Sequence, residues 1–379
     1  MKKIPYGRQL IDASGRAAVD KVLRSAWLTQ GPNVDEFETA LASACGAKYA
    51  VACSNGTAAL HLACMAAGLR PGDEAVVPAI TFAATANAAL YCGAEPVIVD
   101  VDPGTVTLDP RAFAKAITRR TKAVLPVHFA GLPADMTEIS RIARAKKLVV
   151  IEDAAHALGA SYGGRKIGAC DRSDMAILSF HPVKHVATGE GGAVLTNRKD
   201  LRDRLRLFRS HGITRDPALL EDKSQGGWYY EMQALGYNYR ITDLQCALGH
   251  SQLKKLPRFL KRRREIARRY IAAFSGDARI RLQALPKGRE HAYHLFTIQV
   301  PAGRRRALYE FLHARGILAN VHYIPVHRLP FYQRRGWKKT RLPAAEAYYA
   351  GALSLPMHAA LTDADVKRVI AAVRQGLDA

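Results

Sequence analysis

Acidic residues are scarce in this chain. Asp and Glu number 33 against 56 Lys and Arg, leaving a formal net charge of +23. Such a field attracts anions, whether nucleotides, nucleic acids or acidic membranes, and a surface habit of using arginine produces it equally well. Paired cysteines are lacking too. Cys45, Cys53, Cys64, Cys92, Cys170 and Cys246 are scattered, with no C-x-x-C pair and no metal-ligand spacing. No disulfide framework and no metal site are expected, and free buried thiols in a reducing cytoplasm are. Behind Lys2 and Lys3 there is no apolar h-region, so no signal peptide is expected. Residues 49–69 and 75–94 carry no charge over the length of a membrane span, but both are rich in Ala, Gly, Ser, Thr and Asn, and Pro78 interrupts the second. They read as buried strand–turn–helix units, with no membrane attachment.

What is present is ample core material. Of 379 residues 49% are hydrophobic, enough for two domains. Through the first two-thirds, helical stretches such as 34–45, 57–67 and 136–146 alternate with short apolar runs at 49–53, 74–77, 96–99, 123–127, 148–151, 175–180 and 193–196. That alternation predicts an α/β fold, with a mostly parallel sheet covered by helices on both faces. After Asn238 the composition shifts. A helix over 244–254 precedes the basic amphipathic segment 257–270, whose charges surround an apolar stripe of Phe259, Ile266 and Tyr270 and are expected in solvent. Strands are expected at 293–300 and 317–324, a helix at 304–315, and a last helix behind Thr362 as N-cap. We read 1–250 as a large domain and 251–379 as a smaller α+β domain.

Four local patterns carry chemistry. In Ser179-Phe-His-Pro-Val-Lys184-His-Val-Ala-Thr-Gly-Glu-Gly-Gly192 a lysine lies between an apolar strand and a glycine turn that lets backbone approach a ligand. Desolvated there, its amine would lose proton affinity and could form an imine; on an exposed loop it would do neither. Val150-Ile-Glu-Asp153-Ala-Ala-His156 ends an apolar strand with an acid, where α/β sheets bind ligands. Asp153 suits a protonated pyridine nitrogen, or a helix N-cap. Ser54-Asn-Gly56-Thr57 opens a helix whose amides suit a phosphate, although such turns are common. Phe82, after Pro78-Ala-Ile-Thr, could stack on a flat ring or be simple core.

Together and in this order, these patterns resemble the DegT/DnrJ/StrS sugar aminotransferases, a branch of the fold-type I pyridoxal-5′-phosphate (PLP) enzymes. Further matching segments are Pro5-Tyr-Gly-Arg, Leu28-Thr-Gln-Gly-Pro32, Phe208-Arg-Ser-His-Gly-Ile-Thr214, Gly236-Tyr-Asn-Tyr-Arg240 and Val321-His-Tyr-Ile-Pro325, so the resemblance covers essentially the whole chain. Within the family it leans toward the transaminases of pseudaminic acid biosynthesis. The resemblance implies PLP as cofactor, with pyridoxamine phosphate as its aminated form. Lys184 would be the Schiff-base lysine and proton shuttle, Asp153 the partner of the pyridine nitrogen, and His156 the neighbour of the ring hydroxyl. Phe82 would stack on the ring; Gly56, Thr57 and Ser179 would hold the phosphate. Asn238 would reach the phosphate in a neighbouring subunit, making a homodimer with shared sites. Tyr6, the stretch Ala26, Trp27, Leu28 and Thr29, Arg240, and the stretch His322, Tyr323, Ile324 and Pro325 would contact the substrate.

The implied reaction moves an amino group from L-glutamate to C4 of a UDP-linked 2-acetamido-2,6-dideoxy-4-keto-hexose. Transfer at C3, or on a dTDP- or GDP-linked sugar, is the competitor within the family. From another class, the high charge leaves a nucleic-acid-binding protein on the same scaffold, for which no helix-turn-helix, zinc or RNP pattern speaks. Two positions depart from the family pattern, His156 where Gln is frequent and His185 after the lysine. The related 3-dehydratases carry histidine at the lysine position, which here is Lys184.

Overall fold

A computed structural model of the protein describes residues 2–379. The apolar runs form one seven-stranded sheet: β1 (Tyr49–Cys53), β2 (Glu74–Pro78), β3 (Glu95–Val99), β4 (Thr121–Val124), β5 (Val149–Asp153), β6 (Met175–Ser179) and β7 (Gly192–Thr196). Their order is β1-β7-β6-β5-β4-β2-β3. Neighbours from β6 to β3 pair in parallel, while β7 runs antiparallel between β1 and β6. Every residue of β2 and β7 is buried, as continuous apolar strands require when helices cover both faces.

The covering helices follow from their sequences. Helix Gly56–Ala66 is built of strong helix formers and buries eight of its residues. Helix Pro32–Cys45 starts on a proline, buries Phe37 and Leu41, and ends at Gly46 in the left-handed conformation that glycine adopts freely. Because β1, β5 and β6 run the same way, their carboxyl ends bring Asn55, Asp153 and Ser179 to one edge of the sheet. Gly192 stitches that edge, pairing with Cys53 on one side and Ser179 on the other. A Cβ at Gly192 would lie 2.4 Å from the Asn55 carbonyl oxygen, so only glycine permits the approach.

Helix Leu256–Phe274 leads into the rest of the chain, where strands Arg281–Leu282, Phe296–Gln299 and Ala352–Leu355 form an antiparallel sheet. Helices Arg304–Ala314 and Asp363–Asp378 lie beside it, the latter started by a Thr362–Asp365 capping box. Ile4 is buried in this core, and the short strand Ile4–Pro5 pairs with Ile317–Leu318. The strand expected over 317–324 is thus only two residues long. Asn320 then exchanges backbone hydrogen bonds with Ser354, and the chain beyond turns toward the central sheet, where Val326 N–H bonds Ala79 O at 2.9 Å.

The basic helix buries its stripe of Phe259, Ile266 and Tyr270 as expected, with one correction to its charges. Arg263 is buried at 2% exposure, and its guanidinium donates to the carbonyls of Tyr293, His294 and Met357 at 2.8–3.2 Å. A buried cation persists where several oxygens replace its hydration, and here they are carbonyls of irregular segments that no strand satisfies. Five of the six cysteines are buried and Cys92 is half-buried; all are free thiols. No described helix is long and apolar enough to cross a membrane, and among the described residues no group of His, Cys, Asp or Glu is placed to hold a metal ion.

Candidate active site

A cleft of about 830 Å³ opens where β1, β5 and β6 end. Ten of the residues singled out in the sequence line it: Gly56, Thr57, Phe82, Asp153, His156, Ser179, Lys184, Tyr6, His322 and Tyr323. They come from distant parts of the chain: the sheet order brings Gly56, Asp153 and Ser179 together, and the paired strands Ile4–Pro5 and Ile317–Leu318 lead Tyr6, His322 and Tyr323 to the same cleft.

Asp153 closes β5. Its carboxylate accepts from Thr85 Oγ1 at 2.7 Å and from the Ala155 N–H at 3.2 Å, and Thr85 in turn bonds Thr81 at 2.7 Å. No helix follows Asp153, which removes the N-cap alternative. The residue is 6% exposed, an acid held in place at the cleft wall. Lys184 is half-buried, and its amine is pushed down to about 8, first by burial and against the opposing pull of Asp153. A lysine of this kind has a usable fraction of free amine at neutral pH and is nucleophilic.

The wall behind is built of aromatic rings. His156 Nε2 and the Tyr323 hydroxyl lie 3.2 Å apart, and the His156 ring packs on His294 with centroids 4.3 Å apart. Burial, then the charges of Lys184, His322 and His185, hold His156 well below its ordinary value, so it is a neutral ring. His156 Nδ1 is buried without a partner. His322 Nδ1 pairs with Ser354 Oγ at 2.8 Å, and burial pushes its pKa down to about 4. Phe82 is 60% exposed, which excludes it from the core and leaves its ring over the cleft.

At the other end lies the start of helix Gly56–Ala66. The Asn55 side chain caps it by accepting from Ala58 N–H at 2.8 Å. The amides of Gly56 and Thr57 have no intrahelical acceptor, and both residues line the cleft. A Cβ on Gly56 would stand 2.9 Å from Ser179 Cβ, so glycine lets the helix start close on β6. An anion is favoured here by orphan N–H groups and the helix dipole.

Other predicted positions lie outside this cleft. Ala26, Trp27, Leu28 and Thr29 are exposed, with Trp27 at 56%. Thr29 bridges Thr242, and Leu28 O accepts from Asp243 N–H at 3.0 Å, which joins this stretch to the segment carrying Asn238 and Arg240. Within that segment Tyr239 lines the cleft, whereas Asn238 is exposed and Arg240 half-buried beside it. Ile324 is exposed and Pro325 buried, both away from the cleft lining. Sequence reasoning missed Thr85, His294, Asn320 and Tyr239. Thr85 follows Phe82 by three residues and Tyr239 stood inside the matching segment Gly236–Arg240; nothing in the sequence marks His294 or Asn320.

An amine with lowered proton affinity, a fixed carboxylate, an unpartnered buried imidazole nitrogen, an exposed aromatic ring and an anion cradle fit a flat, phosphorylated pyridine aldehyde. Fold and site together are those of a PLP-dependent aminotransferase. The profile of the DegT/DnrJ/EryC1/StrS aminotransferase family matches residues 9–374, and the chain belongs to that family. It is 42% identical over 377 residues to the spore coat polysaccharide biosynthesis protein SpsC of Bacillus subtilis, covering 98% of this chain and 96% of that one. To the GDP-perosamine synthase of Caulobacter vibrioides it is 38% identical, covering 100% and 99%. Among solved structures, Helicobacter pylori PseC, an aminotransferase of pseudaminic acid biosynthesis, superposes with a TM-score of 0.91 at 32% identity, over 100% of both chains. The sugar aminotransferase Spr1654 of Streptococcus pneumoniae, solved in its PLP form, does so at 0.92 and 30%, covering 100% of this chain and 99% of that one. The protein is therefore a sugar aminotransferase that uses PLP, an amino donor and a keto sugar carried on a nucleotide.

Proposed function

We propose that this enzyme moves the amino group of L-glutamate to C4 of a UDP-linked 2-acetamido-2,6-dideoxy-4-keto-hexose, and that it works as a homodimer. The observation that carries the chemistry is Lys184, its amine pushed down to about 8 and sharing one cleft with Asp153. When bound, PLP supplies an aldehyde that takes up the amino group and a ring that accepts electrons. Lys184 binds the cofactor, then takes the proton from the donor's Cα and returns it on the other side of the exchange. Asp153, held by Thr85, keeps a proton on the ring nitrogen. His156 would lie beside the ring hydroxyl, Phe82 would cover the ring, and Gly56, Thr57 and Ser179 would hold the phosphate. Tyr6, His322 and Tyr323 face the sugar.

The dimer is supported by what the cleft lacks. No arginine lines it, and Lys184 is its one lysine, although cofactor, donor and substrate are all anionic. The exposed stretch from Ala26 to Thr29, bridged through Thr29 to Thr242, forms one strip with the segment of the exposed Asn238 and the half-buried Arg240, which also carries the exposed Leu235 (74%) and Met232 (62%). Pressed on a second copy, this strip delivers Asn238 and Arg240 to the partner's phosphate and the Trp27 stretch to its sugar. The full-length likeness to PseC supports a substrate of pseudaminic acid biosynthesis; the likeness to GDP-perosamine synthase favours, as second reading, the same transfer on a GDP-linked keto sugar.

The test is spectroscopic. The cofactor band of the purified enzyme should fall on adding L-glutamate and return on adding the UDP-linked keto sugar. A band that falls with glutamate and returns only with a GDP- or dTDP-linked sugar replaces the first reading by the second. No band after added PLP removes both.

A further inference from the structure

His61 is out of place in its helix. Beyond Thr57, helix Gly56–Ala66 is otherwise small or apolar, yet it carries this histidine at 3% exposure. A buried polar ring needs a partner, or its burial costs free energy. The partner is Tyr239, whose hydroxyl lies 3.1 Å from His61 Nδ1. The rings of Tyr91 and Tyr237 pack on His61 with centroids 5.4 and 5.0 Å away, and Tyr237 stacks on Tyr239 at 5.0 Å. Burial holds His61 below its ordinary pKa and Tyr239 above its own, so the bond joins two neutral groups.

Tyr239 has a second bond to the same unit. Its carbonyl accepts from the Ser54 N–H at 2.8 Å, just ahead of the cap residue Asn55. The two bonds therefore reach the chain on either side of Gly56 and Thr57, whose amides head the anion cradle. Thr57 and His61 stand one turn apart and share a face of the helix. Tyr239 lines the cleft beside Gly56 and Thr57, whereas His61 does not line it. Tyr239 is also a firm anchor. Its own N–H bonds Arg209 O at 3.0 Å, and the Arg209 guanidinium is held by the buried Glu38 carboxylate at 2.7 Å and the Ala52 carbonyl at 2.8 Å.

We propose that His61 is a positioning residue for the cofactor's phosphate: by holding the Tyr239 hydroxyl it completes, with the Ser54 bond, a clamp that fixes the turn of Gly56 and Thr57. The proposal rests on the PLP reading above and adds what sets the shape of the cradle. Orphan amides at a helix start favour an anion in proportion to how well they converge on it, and the clamp holds that convergence before the anion arrives. His61 touches neither cofactor nor substrate and acts through Tyr239. Removing the bond should therefore cost phosphate affinity and spare the contacts made to the ring.

Absorbance titrations of the full chain with PLP and with pyridoxal, the same ring without its phosphate, test this. Tyr239→Phe and His61→Leu should each weaken PLP by about three- to tenfold, the worth of one hydrogen bond, and leave pyridoxal unchanged. The double variant should be no weaker than either single one, because both remove the same bond. His61→Asn, whose amide reaches the place of Nδ1, should bring PLP affinity back toward wild type. Tyr239→Phe deletes one oxygen from a half-buried residue and carries the test if His61→Leu does not fold. Equal weakening of PLP and pyridoxal, or an unchanged PLP affinity in Tyr239→Phe, overturns the clamp and leaves the aminotransferase reading standing. A wild-type chain that binds no PLP overturns that reading and the clamp with it.

Discussion

The floor of the cleft and its outer rim are built on opposite rules. On the floor, Asp153, His156, Ser179 and Gly56 are buried or half-buried, come from one chain and sit at the ends of rigid strands or at a helix start. Beyond the cleft lining, toward the rim, Trp27, Leu235 and Asn238 are exposed and lie on connecting segments. The floor must hold a proton and an amine within fractions of an ångström, which needs side chains locked by their neighbours. The rim must attract and orient a large anion, which many arrangements achieve. Reaction type therefore concentrates in a few residues, and substrate choice spreads over many.

If that contrast is right, floor substitutions cost rate and rim substitutions cost affinity. Lys184→Ala is the largest expected effect. Steady-state assay should show a loss of at least about 10⁴-fold in kcat, since nucleophile and proton carrier go together. Asp153→Asn should keep the fold and lose roughly 10²–10³-fold in kcat, the range for removing one preorganised electrostatic partner. Thr85→Val removes the hydroxyl that bonds Asp153 and Thr81, and should lose about tenfold through the hydrogen bond to a charged group. A Thr85→Val enzyme with wild-type kcat would show that Asp153 needs no holding.

The contrast can also be sharpened across protomers. Lys184→Ala and Arg240→Ala proteins, each impaired alone, should regain activity when mixed, because one site of each hybrid dimer holds both residues. No recovery after verified subunit exchange would confine every site to one chain.

The smallest expected effect is on stability. Burial depresses the folded-state pKa of His322 and His358 to about 4, below the value of about 6.5 in an unfolded chain. In that window the unfolded chain binds the extra protons, so stability is fully present above pH 6.5 and falls as pH drops toward 4. The slope is up to about 1.4 kcal/mol per pH unit for each histidine. His358 lies outside the cleft lining, so denaturant titrations of His358→Leu should show a shallower fall over that window, and an unchanged slope would sink the assignment.

Much of the floor was legible because chemistry constrains residue type together with position. A lysine between an apolar strand and Gly-Glu-Gly-Gly, and an acid ending another strand, can be read directly. Asp153 as cofactor partner or helix cap could not be separated until its strand ended in a turn instead of a helix. That Phe82 is not core likewise emerges only from its exposure, which depends on packing from distant segments. Arg263 was read as a solvated charge because helical periodicity places it beside the apolar stripe, and periodicity does not report carbonyls arriving from residues 293, 294 and 357. The strand expected at 317–324 failed for a similar reason. Its apolar alternation is real, but only Ile317 and Leu318 form a strand, and Asn320 makes a single bridge to Ser354 before the chain turns away.

The strand order has a consequence for how the enzyme is made. β7 is the last of the seven strands to leave the ribosome, yet it sits between the first and the sixth. Until it inserts, β1 is an open edge able to pair with another chain, and the Asn55 turn has no Gly192 to close against. The sheet can be finished only by a late, long-range pairing, the kind of step that slows folding and exposes intermediates to aggregation. Synthesis that stalls before residue 196 should therefore yield a chain that sticks to itself and binds no cofactor.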